Sequence, residues 1–327
     1  MPIPSLSPRI DNIDKNYIQN GGMDFFQRSH NLLLTTSNVY ATADRFQQYI
    51  AGAWTTAPTS SRSTSVPNKL SKYSLAHVGM ATDGTATSTI SQFMESIMVQ
   101  ELSSQLASFG MWVSSDTNGP NSVTITVEVP TAVDTFTTTT VFTTVVAPIT
   151  QAGGWQFISI PGMTFPDVSN GLAIRAVFSG WVAASTGTLL TTQWCLNEGP
   201  LAGNFVRHGR NYAGELAACQ RYYEKSYDTD TDPGTVTSNG AQGTRLSANP
   251  QFDPNATYKV TKFSPGNPFI WSPSTGAQGF CALIDAPGGD FAPGLESSGM
   301  SGAAWNGASS SSGKYYAWQW TVDSDLN

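Results

Sequence analysis

Charge is what this sequence has least of. Lys, Arg, Asp and Glu together make up 12% of 327 residues, about half the share of an ordinary globular protein. The formal net charge is −7, and no run of Lys or Arg offsets it. Phosphate backbones require clustered cations, so nucleic acid is excluded as a partner. The short Arg207-His208-Gly209-Arg210 spot reads as a turn. Cysteine is also scarce. Cys195, Cys219 and Cys281 are odd in number and far apart, which excludes a disulfide framework and a Cys/His zinc site. Cys195 alternates within an apolar strand and Cys219 sits on a helical face, so both read as buried thiols. The three histidines, His30, His77 and His208, have no second ligand or nucleophile at a telling spacing. Nucleophile elbows, phosphate loops and dinucleotide fingerprints are missing. No cofactor or metal is expected. No apolar run approaches membrane-spanning length, and the Met-Pro-Ile-Pro start lacks the basic and apolar regions of a signal peptide.

Polarity comes instead from Thr, Ser, Asn, Gln and Gly, a composition suited to sheets with hydroxyl-rich outer faces and many turns. Val123, Ile125, Val127 and Val129 alternate with polar residues, the pattern of a half-buried strand. Residues 135–146 are β-branched and Thr-rich, and Trp155 to Ile160 makes another short strand. Leu172, Ile174, Ala176 and Phe178 form one core-facing set; Leu190, Thr192, Trp194 and Leu196 form another. Asn118-Gly119-Pro120, Gly153-Gly154 and Asn170-Gly171 punctuate them. Many short strands with regular turns give an all-β chain, a sandwich or jelly roll. Residues 93–106 read as a strand followed by one helical turn. Residues 214–225 read as a helix with Leu216, Cys219 and Tyr223 on one face and Glu215 complementing the dipole at its start. Beyond it, Asp228 to Gly234 lacks the glycine and distal glutamate of a calcium loop and reads as a solvated turn. Short strands resume at Tyr258–Phe263, Phe269–Trp271, Gly279–Ile284 and Tyr315–Val322, with Gly/Ser-rich loops over 294–313. The expected division is a docking peptide over 1–16, a jelly roll over 17–210, a linking helix over 211–226 and a small β tip domain over 227–327. Pro2, Pro4 and Pro8 favour an extended peptide that orders on a partner and is dispensable for folding.

Several segments, in order, resemble a family. Asn20-Gly-Gly-Met-Asp-Phe-Phe-Gln-Arg28 is similar to the opening of a module of bacteriophage tail-fibre and related virion proteins, itself akin to carbohydrate-binding jelly rolls. Ala43-Asp-Arg-Phe46 resembles its second strand, Gln92 to Ser115 its next segment, Gly154-Trp-Gln-Phe157 a later strand, and Asn197 to Phe205 its closing strand and exit. Glu215-Leu-Ala-Ala-Cys-Gln-Arg-Tyr-Tyr-Glu224 resembles the helix joining such modules to a tip domain. Trp271 to Gly276 and Trp318 to Leu326 are similar to that tip. Phe26 stands where the family usually has Trp. The resemblance implies a homotrimer on a virion, assembled in the bacterial cytoplasm; residues 1–16 match no segment of the family, and as an extended Pro-rich peptide they are expected to dock on another phage structural protein. It implies a tail fibre or receptor-binding protein that meets a host-surface polysaccharide; a head fibre or capsid decoration protein is the alternative, and a polysaccharide-degrading tailspike enzyme a third reading.

Glycoside hydrolysis needs two facing carboxylates. Nothing in the sequence pairs Glu95, Glu101, Glu128 or Glu198, so no enzyme is expected. Saccharide binding needs aromatic faces and hydrogen-bonding side chains. Alternation places Arg175 outward with Trp181 sharing that face, and Thr191 and Gln193 outward on the later strand. These four are the candidate ligand-binding residues. Trp112 and Trp155 are expected in the core. Trp271, Trp305, Trp318 and Trp320, in a charge-poor setting, are expected at subunit contacts of the trimer.

Overall fold

The computed structural model describes residues 15–245, 251–285, 289–308 and 314–326. The expected docking peptide, Lys15 and Asn16 apart, lies outside the described residues. Asn16 belongs to the fold: its side chain, fully buried, donates to the carbonyls of Trp194 (2.9 Å) and Val206 (3.0 Å).

Twelve strands form the sandwich: β1 (Asn31–Leu33), β2 (Val39–Tyr40), β3 (Gln47–Ala51), β4 (Trp54–Ser63), β5 (Ser74–Ala81), β6 (Thr87–Met94), β7 (Leu106–Ser115), β8 (Ser122–Ala132), β9 (Thr135–Pro148), β10 (Trp155–Thr164), β11 (Leu172–Ser179) and β12 (Thr186–Glu198). They make two six-stranded antiparallel sheets, one ordered β1-β4-β5-β12-β7-β10 (the first sheet) and the other β2-β3-β6-β11-β8-β9 (the second). From β5 to β8, and again from β9 to β12, the chain crosses between sheets at each step, as in a jelly roll. Alternation explains the core. Val123, Ile125 and Val127 of β8 are fully buried and meet Phe109, Met111 and Val113 of β7 from the opposite sheet, while Thr124 and Thr126 face out. Phe46 and Phe109 each set an edge against Trp194, at 5.2 and 5.5 Å.

A buried polar cluster of Thr42, Gln48, Ser60 and His77 sits inside the sandwich. The buried His77 ring lies 2.8 Å from the Gln48 carbonyl oxygen, an acceptor, so Nε2 carries the hydrogen. Burial pushes its pKa down to about 3.

The remaining strands, Tyr223–Lys225 onward, build smaller sheets around Tyr315–Asp323, which pairs with Tyr223–Lys225, Gln242–Arg245, Asn267–Trp271 and Cys281–Leu283. Several expectations are corrected here. Trp305, Trp318 and Trp320 are buried in this unit's own core. The segment 258–263 is no strand, because it wraps the buried Lys262, whose ammonium donates to Gln220 O (2.5 Å), Val260 O (2.9 Å) and the Glu224 carboxylate (2.6 Å). Part of the expected Gly/Ser loop forms a hairpin, Gly294–Ser298 with Gly302–Ala308. The helix runs Tyr212–Gln220, capped by Asn211, whose side chain accepts the Gly214 N–H. Tyr223 belongs to the following strand, and Leu216 is half-exposed. Glu215 lies in the first turn, as expected, and is buried there, accepting the N–H groups of Asn20 and Gly209.

Buried charges join the two units. Ala43 to Phe46 is a tight turn rather than a strand, with Arg45 at φ +73°. That turn aims the Arg45 guanidinium at the junction. There it donates to Gln19 (2.8 Å), to the Phe93 carbonyl (2.7 Å) and to Asp325 (2.5 Å), and stacks on Tyr222 at 3.3 Å. Arg28 also pairs with Asp325. Glu95 receives a bidentate pair from Arg221 (2.7 and 2.8 Å) and the hydroxyl of Tyr222.

Two predictions follow from this packing. Asp325→Ala takes the carboxylate from the buried Arg45 and leaves Arg28 with Asp323 and Asp44, and is expected to lower stability by about 3–5 kcal/mol, the cost of breaking a buried pair; a thermal melt close to wild type would contradict the junction's role. His77 refuses a proton that the unfolded chain takes at its ordinary pKa near 6.5. Its contribution to stability is therefore complete at neutral pH. It falls by up to about 1.4 kcal/mol per pH unit below that value, until the native ring protonates near the cited 3. Urea melts between pH 7 and 4 are expected to show a slope about one proton smaller in His77→Gln than in wild type.

Candidate functional site

The structure separates the four sequence-derived candidates. Arg175 is where alternation put it, on the outer face of the second sheet. Gln193 points to the outer face of the first sheet, on the far side of the sandwich, but is only 1% exposed there, covered by Asn68 and Ser71. Thr191 and Trp181 are corrections: both are buried. Thr191 donates to the Trp112 carbonyl (3.0 Å) and accepts the Trp194 indole N–H (2.7 Å). The reason is a β-bulge between Thr192 and Cys195. Gln193 adopts φ +55°, so the strand slips by one residue. Leu189 and Thr191 point inward before the bulge, Trp194 and Leu196 after it. Trp181 follows Gly180, which turns the chain at φ +75°. Its ring, 3% exposed, tucks under the sheet edge, with its centroid 5.2 Å from that of Trp54 and its N–H on the Phe178 carbonyl.

Around Arg175 the second sheet forms a groove of about 330 Å³. Strand pairing puts Gln47 of β3, Ser91 of β6, Arg175 of β11 and Thr126 of β8 on one rung across the sheet. Adjacent strands are about 4.8 Å apart, so Gln47 and Arg175 flank Ser91 within the span of one sugar ring and its hydroxyls. Phe93, two residues from Ser91, stacks on Phe136 at 4.7 Å between centroids, closing one end of the groove with an apolar wall. Asn38 and Thr137 complete the lining. The Arg175 side chain is held by Glu128, with Nε 3.1 Å from Oε1, and by Ser91, with Nη1 3.4 Å from Oγ. Thr139 donates to the same carboxylate at 2.7 Å. That fixes the guanidinium and balances its charge, leaving N–H groups directed at the groove.

Gln47 is the informative side chain. It is 5% exposed, and its carbonyl oxygen is buried with no hydrogen-bond partner. A buried acceptor left unpaired costs about 1–3 kcal/mol, and here it lines the groove. A ligand hydroxyl would satisfy it. The sequence carried a signal for Gln47 that was missed. Phe46, Gln48 and Ile50 point inward, so Gln47 and Tyr49 must point outward on the same face as Arg175. Phe93 and Phe136 were missed because they belong to strands that are not adjacent in sequence. Trp112 and Trp155, expected in the core, are half-buried on the outer face of the first sheet.

Elsewhere the described residues hold no group of three or more His, Cys, Asp or Glu side chains able to bind a metal ion. Trp181→Ala is expected to cost about 3–5 kcal/mol of stability, as for other buried aromatics, measured by chemical denaturation; an unchanged midpoint with selective loss of ligand binding would restore Trp181 as a surface residue.

No family model matches this sequence, and no curated protein matches it. The chain is similar in part to several solved structures. The enzymatically active domain of tailspike protein 4 of bacteriophage CBA120 is 12% identical with a TM-score of 0.38, over 56% of this chain and 21% of that one. This chain therefore spans about a fifth of that domain. The carbohydrate-binding module TmCBM61, solved with β-1,4-galactotriose, is 14% identical with a TM-score of 0.33, over 57% of this chain and 99% of the module. The family 11 carbohydrate-binding module of Clostridium thermocellum, solved with a β-1,3-1,4-mixed-linked tetrasaccharide, is 8% identical with a TM-score of 0.32, over 52% and 96%. Its own two six-stranded sheets make the chain a β-sandwich, with partial structural similarity to carbohydrate-binding modules and to a phage tailspike domain.

Proposed function

We propose that this protein is a phage virion component, a tail-fibre or receptor-binding protein, that attaches to a host-surface glycan through the groove on its second sheet. The unpartnered carbonyl of Gln47 beside Arg175 carries the reading. A saccharide hydroxyl donates and accepts at once, so neighbouring hydroxyls on one ring can satisfy Gln47 and the free guanidinium N–H groups together. Phe93 and Phe136, stacked on each other and nearly buried, close the end of the groove with an apolar edge. The groove binds without cleaving. Hydrolysis needs a second carboxylate facing the first; Glu128 is the acid beside the groove, and it is tied to Arg175 and Thr139. The order of sequence segments supports a virion address, and the chain's exposed Val236, Ile284 and Leu295 support assembly as a homotrimer through the tip unit.

Gln47→Leu and Arg175→Ala test the groove on an array of bacterial surface glycans. Loss of a paired buried partner costs about 1–3 kcal/mol, so retention is expected to weaken on the order of 10- to 100-fold in each variant. Gln47→Leu is expected to melt at or above the wild-type temperature, because the unpartnered acceptor is gone. Wild-type retention by both variants, with the fold intact, would overturn the assignment.

A further inference from the structure

The first sheet carries a second cleft, on the opposite face of the sandwich from the groove. Phe157 of β10 and Trp112 of β7 are direct cross-strand partners. Their ring centroids are 5.5 Å apart, with planes tilted by 51°, and Phe157 is 41% exposed. Gly110 sets this arrangement. A Cβ there would lie 2.4 Å from the Phe157 ring, so glycine lets the ring lie down on the strand and show its face to solvent. Leu70, Ala202 and Phe205 extend the apolar wall.

The polar side of the cleft is made of amides. Gln193 occupies the β-bulge at φ +55°, a backbone conformation that a non-glycine residue rarely adopts. Bulges re-aim side chains, and this one turns the Gln193 amide onto the outer face. There its Nε2 donates to Asn68 Oδ1 (2.8 Å) and Ser71 Oγ (3.0 Å), and Asn68 returns a bond to its Oε1 (3.3 Å). Asn204 stands exposed on the rim. Both N–H groups of the nearly buried Gln193 amide are used in this way, so Gln193 fixes Asn68, whose second N–H stays available to a ligand beside Asn204. No ionisable side chain lines the cleft.

We infer that this cleft is a second, separate saccharide site that takes one neutral hexopyranose ring. Aromatic rings beside fixed amides fit a sugar's C–H face and hydroxyls. The uncharged lining leaves nothing to neutralise a carboxylate or phosphate, so acidic sugars are excluded. A volume of about 130 Å³ is well below the roughly 300–1,000 Å³ of clefts for drug-sized ligands, which limits the occupant to a single ring, a chain end or a branch. The inference extends the glycan-binding reading to the other face but rests on different residues, so each can fail alone.

The test compares Phe157→Ala and Gln193→Gly with Arg175→Ala on an array of neutral and acidic glycans. Phe157 is exposed, and glycine accepts the left-handed conformation of residue 193 but gives up the buried bonds to Asn68 and Ser71; circular dichroism melts check each fold, and Phe157→Ala decides alone if Gln193→Gly melts early. Each is expected to lose at least 10-fold in retention on a set of neutral glycans that Arg175→Ala still retains, with acidic glycans unaffected. Wild-type retention of every neutral glycan by both variants would overturn the site. So would losses confined to acidic glycans, or a pattern identical to that of Arg175→Ala.

Discussion

The fold turns on the placement of one guanidinium. Arg45 is almost wholly buried, and a buried charge persists only with complete pairing. Its partners come from three parts of the chain: Gln19 and Phe93 from the sandwich, Tyr222 from the segment after the helix, and Asp325 from the last residues. The first and last turns of the fold therefore have to meet at one point. The small terminal unit is held against the sandwich with its long strand Tyr315–Asp323 in a fixed direction. Glu95 with Arg221, and Glu224 with Lys262, repeat the same solution nearby. A sequence poor in charge has concentrated much of what it has at this junction.

The surfaces follow the opposite rule. Both outer faces of the sandwich are dressed with hydroxyls, amides and a few aromatic rings. In the groove the lone cation is neutralised in place by Glu128; in the opposite cleft there is no charge at all. Surfaces of this kind discriminate by hydrogen-bond geometry and ring stacking rather than by long-range attraction, in keeping with the proposed glycan ligand.

Much of this was legible in the sequence, and the exceptions share a cause. Where a strand kept strict alternation, as from Val123 to Val127 or Leu172 to Phe178, the facing of every residue, Arg175 included, could be read directly. Where one residue took a left-handed conformation, the reading inverted. Gln193 shifted Thr191 inward, and Gly180 turned Trp181 under the edge. No local pattern announces such a residue when it is glutamine. Long-range pairing explains the rest. Residues 223–225 have helical periodicity with Leu216 and Cys219, yet strand pairing with Thr321–Asp323 wins. Lys262 kept the segment 258–263 out of a sheet because its ammonium needed three acceptors. The groove was only half legible, since its rung joins four strands that pairing, not sequence order, brings together.

The central claim is that ligand attaches on the second sheet at the Gln47–Ser91–Arg175 rung. A hydrogen–deuterium exchange footprint of the full chain, with and without purified surface polysaccharide from a host cell that it binds, tests this most directly. The account predicts slowed exchange in Gln47–Ala51, Thr87–Met94 and Leu172–Ser179, with the strand Tyr315–Asp323 unchanged. Protection confined to the small terminal unit, with these three strands unaffected, would contradict it.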